Sequence, residues 1–310
     1  MQKLIEWKFK KLLSLYFYPK KISLTNQYID YEDKFKKKIN QYLNEVHKES
    51  SSQWFETQIK LLNKLAQKPL HNFLSFKEIS NTMFFEATIK EFDVIKQHPI
   101  YKKKKDKLTE NALGEPKPYP LFPQSSGNLL HHFFSLIQIL NFCNYDTPKM
   151  FDSIVEIGGG YGSFSRLAKH LNFEKKYIIY DLPAFSFLQD FYLNYVLDSL
   201  CKIQLNSISK EQNSISLINS LDEFKQIQKC DLLIGLWSLS EMPIELRNNI
   251  FDSISFNNLL IAFQTNYDSY DNIDYFNKLE NKLQQNNYKT TIYPIKELNP
   301  GSFYFLATKK

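Results

Sequence analysis

Half of the chain's eight glycines, Gly158, Gly159, Gly160 and Gly162, fall within five consecutive positions. Glycine costs conformational entropy and is used where the backbone must take a positive φ or approach something closely. That concentration marks a loop built to receive a ligand. The residues before it, SIVEI, read as a strand, and those after it, SFSRLAKHL, read as a helix. A strand that runs through glycines into a helix aims backbone N–H groups and a helix N-terminus at one point, which suits a nucleotide-like cofactor. The next apolar run, KKYIIYDLP, ends on Asp181, 21 residues after Gly160, where such folds place a carboxylate to accept the hydroxyls of a ribose. Later, CDLLIGLWSLSEMP carries Trp237, Ser238, Ser240 and Glu241 to the expected carboxyl edge of the same sheet.

Counted from Gly158, the third glycine of a GxGxxG dinucleotide fingerprint would fall at Ser163, so NAD fits poorly. The spacing Glu156-x-Gly158-x-Gly160-x-Gly162 instead resembles the first motif of the Rossmann-like S-adenosylmethionine (SAM) methyltransferases. Taken in order, VEIGGGYG, YDLP and WSLSEMP are similar to stretches of the bacterial sugar O-methyltransferases. This resemblance covers about half the chain, from roughly Gly127 onward. Gly114-Glu115-Pro116 is similar to that family's Gly-Asn-Pro stretch, with Glu in place of Asn, and no role is carried over from it. The resemblance implies SAM as cofactor, held by Glu156, Gly158, Gly159, Gly160, Tyr161 and Gly162, with Asp181 and Leu182 at the ribose. It places Asn219, Ser220 and Asp222 near the adenine, and Trp237 and Ser238 beside the transferred methyl. The implied reaction is methylation of a sugar hydroxyl in cell-surface glycan or nucleotide-sugar biosynthesis.

An alcohol is too weak an acid to be ionised at neutral pH, so a base must take its proton as the new bond forms. Glu241 is the first choice, and His131 and His132 compete with it. Consecutive histidines on a helix point ~100° apart, so one faces the cleft while the other packs inward. Tyr161 and Trp237 are candidates to present ring faces to the sulfonium. No His-rich or paired-carboxylate cluster asks for a metal, and none is expected. Two alternatives stay open: methyl transfer to another acceptor such as RNA or a small molecule, and a SAM-binding protein without turnover.

These residues need a scaffold, and the chain is long enough, at 310 residues with 43% apolar and 23% charged, to build one with a sizeable core. Residues 1–100 show apolar positions at helical spacing and predict an all-helical lobe. Residues 101–126, rich in lysine and then proline, predict a linker without regular structure. Residues 127–310 predict the SAM-binding domain. It opens with a buried helix and continues as an α/β sheet with parallel strands at 153–157, 177–180, 215–218, 231–236 and 259–264. Strands at 290–295 and 302–308 predict an antiparallel hairpin at the edge.

Residues 1–125 hold 23 lysines against 14 acids, a surplus of nine, while the rest carries 16 basic and 19 acidic residues. A basic lobe suits an acceptor bearing phosphates. With only Arg166 and Arg247 as arginines and no recognised RNA-binding module, nucleic acid is not expected as the partner. Cys143, Cys201 and Cys230 lie far apart without metal or disulfide spacing, which points to a reducing compartment. Residues 12–18 make a poor signal peptide and no later run is long enough to span a bilayer, so the protein is expected in the cytoplasm.

Overall fold

A computed structural model describes residues 21–45 and 53–310, together with residues 7, 8 and 10. The apolar run at 12–18 lies outside the described residues. The sheet has eight strands, in the order β11-β12-β8-β7-β3-β4-β6-β5. In chain order they are β3 (Ser153–Ile157), β4 (Lys176–Tyr180), β5 (Lys202–Leu205), β6 (Ser214–Ile218), β7 (Lys229–Leu236), β8 (Ser255–Gln264), β11 (Tyr288–Pro294) and β12 (Ser302–Lys309), with a separate two-stranded ribbon, β9 (Asn266–Tyr267) and β10 (Tyr270–Asp271), between β8 and β11 in the chain. Strands β3 to β8 are parallel. The hairpin β11–β12 adds antiparallel to β8, so the α/β class and its antiparallel C-terminal edge are as expected.

The strands are short apolar runs because both faces of the sheet are covered. On one face pack α4 (Gly127–Cys143), α5 (Ser163–His170) and α6 (Pro183–Leu197), and on the other α7 (Ile244–Ser253) and α8 (Asn272–Gln285). The N-terminal helices α1 (Asn26–Glu45) and α2 (Gln53–Gln67) join the first of these layers. The Tyr31 hydroxyl donates to the Phe191 carbonyl at 2.5 Å, and Lys38 pairs with Asp190 at 2.7 Å. Helix α3 (Ile89–Gln97) packs beside α4.

Three elements differ from the sequence expectation, the first being a helical stretch, Pro99–Lys104 and Lys105–Leu108, at the start of the expected linker. The linker contains a small antiparallel hairpin, β1 (Pro118–Tyr119) with β2 (Phe122–Ser126). Its prolines are tolerated because a two-stranded ribbon has an outer edge that needs no N–H donor. Strand β5 has only four residues, KIQL, on the sheet edge, and so lacks the continuous apolar run that marks its neighbours.

The chain builds β3, β4, β5 and β6 to one side of the sheet, then crosses back to lay β7 and β8 on the other side of β3. Its direction of winding therefore reverses between β3 and β7. In open α/β sheets the crevice beyond the carboxyl ends of the strands at such a reversal is where ligands bind.

Candidate active site

The glycine loop leaves β3 at that reversal. Gly158, Gly160 and Gly162 have φ of 74°, 58° and 92°, conformations that most side chains oppose. Space adds to the constraint at Gly158, where a Cβ would run into the Ser238 side chain that follows β7. The loop is tied to the second strand: the Gly158 N–H donates to the Tyr180 carbonyl at 2.8 Å, and the Gly160 N–H to Asp181 Oδ2 at 3.1 Å. Gln189 of α6 donates to Asp181 Oδ2 and to the Gly160 carbonyl, both at 2.9 Å. Asp181 Oδ1 receives only the Leu182 N–H among these bonds, at 2.8 Å. Burial pushes the Asp181 carboxyl up to about 7, and those donors oppose the rise.

Several expected ligand contacts turn out to support the loop from behind. Glu156 is 3% exposed, and its Oε2 accepts the Tyr177 hydroxyl at 2.8 Å. Burial pushes its carboxyl up to about 8, and the side chain lies beneath the loop, bonded to Tyr177. Tyr161 is buried against Phe73 and Tyr192, at 5.8 and 5.1 Å between ring centroids, and offers no face to a sulfonium. Its hydroxyl accepts from Asn128 Nδ2 at 3.1 Å. Ser220 caps the short helix Leu221–Phe224 by accepting the Glu223 N–H at 3.1 Å. Asn219 is half-buried at the end of β6, beside the Asp181 backbone, and its amide donates to Asn206 at 2.8 Å. Leu182 is half-buried where α6 begins, and Gly159 is held against Ile179.

Across the crevice, β7 is followed by Trp237 with φ 69° and ψ −39°, an unusual conformation for so bulky a residue. Its N–H is fixed to the Ala262 carbonyl at 2.7 Å. Ser238 donates to the Ile157 carbonyl, which joins the end of β7 to the end of β3. The following turn is clamped by Arg247, buried, which donates to the carbonyls of Met242 at 2.7 Å and Ser240 at 2.9 Å and to Asn272 Oδ1 at 2.7 Å. Glu241 is half-buried, with its carboxyl pushed up by desolvation, and it accepts from Gln264 Nε2 at 3.4 Å.

The two consecutive histidines have different surroundings. His132 has an Nδ1 without a hydrogen-bond partner, and burial lowers its imidazole to about 3, which leaves it neutral against Phe164. His131 is 1% exposed and held on both ring nitrogens: Nδ1 lies 2.7 Å from Glu91 Oε1, and Nε2 lies 3.4 Å from Trp237 Nε1. Indole N–H can only donate, so Nε2 is the bare nitrogen and Nδ1 carries the proton toward Glu91. Phe85 lies stacked over both rings, 4.4 Å from His131 and 5.3 Å from Trp237.

Residues of this arrangement that were not singled out from the sequence include Met83, Phe85, Glu91, Asn128 and Gln189. Residues 81–88 run without helix or strand past the glycine loop, where a Cβ at Gly160 would meet only Met83, at 3.5 Å and beyond. Asn128 Oδ1 accepts the Phe85 N–H at 3.1 Å while its amide holds Tyr161, so one side chain ties this strap to the loop. Glu91 carried a readable signal. Thr88-Ile-Lys-Glu91 is a capping-box sequence, and both of its hydrogen bonds are present. Among the described residues no group of three or more His, Cys, Asp or Glu side chains is placed to hold a metal, and no helix is long and apolar enough to cross a membrane.

No family model matches the sequence, and no curated protein matches it. Among solved structures the chain is similar to the methyltransferase domain of bacterial CtHen1, at 11% identity over 58% of this chain and 99% of that one, with a TM-score of 0.43. It is similar to magnesium protoporphyrin IX methyltransferase from Synechocystis PCC 6803 with bound SAH, at 14% identity over 58% and 83% of the two chains, with a TM-score of 0.40. An O-methyltransferase family protein from Burkholderia thailandensis gives 8% identity over 58% and 57%, with a TM-score of 0.37.

Proposed function

We propose that the chain is a SAM-dependent methyltransferase whose acceptor is a sugar hydroxyl. The observation that carries the cofactor assignment is the glycine loop at the β3–β7 reversal, hydrogen-bonded through Gly160 to Asp181 at the end of the neighbouring strand. The residues present fit such a ligand. The crest of the loop at Gly160 bears no side chain and meets only a thioether, Asp181 Oδ1 keeps acceptor capacity for a ribose hydroxyl, and Leu182, Asn219 and Trp237 stand half-exposed along the rim. When bound, SAM supplies an electrophilic methyl group.

The chain's own part is to hold the acceptor hydroxyl and take its proton. His131 Nε2 is assigned that proton: its one lone pair accepts the Trp237 indole N–H in the free chain, the acceptor hydroxyl must displace that donor, and Glu91 then stabilises the imidazolium through Nδ1. Phe85 shields the pair from water. Glu241, held only by a 3.4 Å contact, is assigned to orient a neighbouring hydroxyl of the acceptor. The sugar rests on the sequence resemblance and on the basic N-terminal lobe.

Calorimetric titration of the full chain with SAM, S-adenosylhomocysteine and NAD tests the cofactor, and labelled methyl transfer to nucleotide-linked sugars and to RNA tests the acceptor. Saturable binding of the first two and label in sugar are expected. Binding of NAD alone would overturn the whole reading, and label in RNA would overturn the acceptor. His131→Ala should retain SAM affinity and lose about 10²–10⁴ in rate. If Glu241→Gln shows that loss and His131→Ala does not, the roles are exchanged.

A further inference from the structure

A second concavity lies on the N-terminal lobe. It is a cleft of about 340 Å³ at the C-terminal end of α2 and the turn beyond it, with Pro69 and Phe76 as its apolar wall and Lys64, Lys68, His71, Asn72, Ser75 and Lys77 as its polar lining. Lys64 is already matched, its ammonium 2.5 Å from Glu78 Oε2. The others are uncommitted. Lys68 and Lys77 are exposed and meet no carboxylate, and the side chains of His71, Asn72 and Ser75 make no hydrogen bond among the described residues. The wall that carries them is well anchored. The His71 carbonyl accepts the Gly114 N–H at 2.8 Å, and Phe73 is buried against Tyr161.

Lys68 and Lys77 both line the cleft, and a polyvalent anion bound there lowers the mutual repulsion of their charges. Around them stand three further polar side chains able to donate, while the nearby carboxylate is already neutralised. The volume is at the lower end for small-molecule sites, roomy for a single phosphate and suited to a chain of two. We infer that this cleft binds the diphosphate group of a small molecule, with Lys68 and Lys77 as its counter-charges and His71, Asn72 and Ser75 as hydrogen-bond partners. It stands apart from the glycine loop and does not rest on the methyltransferase reading.

The test is calorimetric titration of the full chain with inorganic pyrophosphate at low ionic strength, with sulfate for comparison. One saturable site is expected, with pyrophosphate bound more tightly than sulfate. In Lys68→Gln/Lys77→Gln the affinity should fall by at least about tenfold, since charge-assisted hydrogen bonds are lost. The control is Lys34→Gln/Lys37→Gln, two exposed lysines of α1, which should change it less than about twofold because screening isolates distant surface charges. Replacing pyrophosphate with a nucleoside diphosphate and with a nucleotide-linked sugar shows whether more than the diphosphate is read. Non-saturable binding, or equal weakening in both double variants, would overturn the site in favour of a diffuse lysine surface. A single-stranded RNA bound more tightly than pyrophosphate, and weakened equally in both, would replace it with a nucleic-acid track.

Discussion

Glu156→Gln is a sensitive probe of how the glycine loop is supported. The carboxyl is 3% exposed, accepts the Tyr177 hydroxyl, and is pushed by burial from the ordinary glutamate value of 4.5 up to about 8. Between those two values the folded chain holds a proton that the unfolded chain has released. The stabilisation is therefore complete below about pH 4.5 and is lost as pH rises through about 8. At 1.36 kcal/mol per unit, the loss amounts to roughly 3–5 kcal/mol. Glutamine keeps an acceptor for Tyr177, has nearly the shape of the protonated acid and cannot ionise. Urea denaturation of parent and variant, without ligand, at intervals from about pH 5 to 9 gives the difference in stability, in which the contribution of Asp181 largely cancels. The variant should gain on the parent steadily as pH rises and hold a constant lead above about 8. Its SAM affinity at pH 7 should stay within about twofold of the parent's, because the side chain faces the sheet and not the groove. Parallel stability curves across the range would refute the buried neutral acid, and a large loss of affinity would return Glu156 to the ligand's side of the loop.

Asp181→Ala should weaken SAM binding by at least about tenfold in the same calorimetric assay, and Asp181→Asn should cost less, because an amide oxygen can still accept from the Gly160 N–H. Phe85→Ala should uncover His131: diethyl pyrocarbonate, which leaves the parent's His131 untouched, should modify it at a rate near that of half-exposed His98, and continued protection would show that Phe85 is not its cover. Glu110→Gln should lower stability in urea by about 3–5 kcal/mol by leaving buried Arg166 without its 2.9 Å partner, and adding Arg166→Met should restore part of it.

The parallel strands were legible because each is an apolar run closed by glycine, aspartate or a polar turn, whereas their spatial order, and with it the winding reversal, is set by tertiary pairing that no single run encodes. Strand β5 and the β1–β2 hairpin were not, since one is half polar and the other is built around prolines. The sequence placed the glycines between a strand and a helix, where the structure has them, but did not show the direction of the neighbouring side chains. Alternation along SIVEI already places Glu156 on the face of Ile154, opposite Val155 and Ile157, and the two buried layers divide those residues in that way. The contact between His131 and Glu91 joins residues 40 apart on different helices. Neither residue type nor local spacing announces such a pair, because only the packing of α3 against α4 creates it. The strained backbone of Trp237 is equally a product of tertiary structure, the position being held by Ala262 from one side and Ser238 from the other.

Both arginines of the chain are buried, Arg166 bonded to Glu110 and the Thr109 carbonyl and Arg247 gripping the turn after β7. Every side-chain cation that solvent meets, histidine aside, is therefore a lysine. An ammonium is a compact point charge without the planar fork that lets guanidinium read the shape of a phosphate or carboxylate. A surface of this kind sorts anions by how much charge they carry and how closely it is spaced, and its grip relaxes steeply as salt is added. The rigid, directional cation chemistry is reserved for the interior, where it sets the geometry of the crevice, and the exterior is left to attract without choosing orientation.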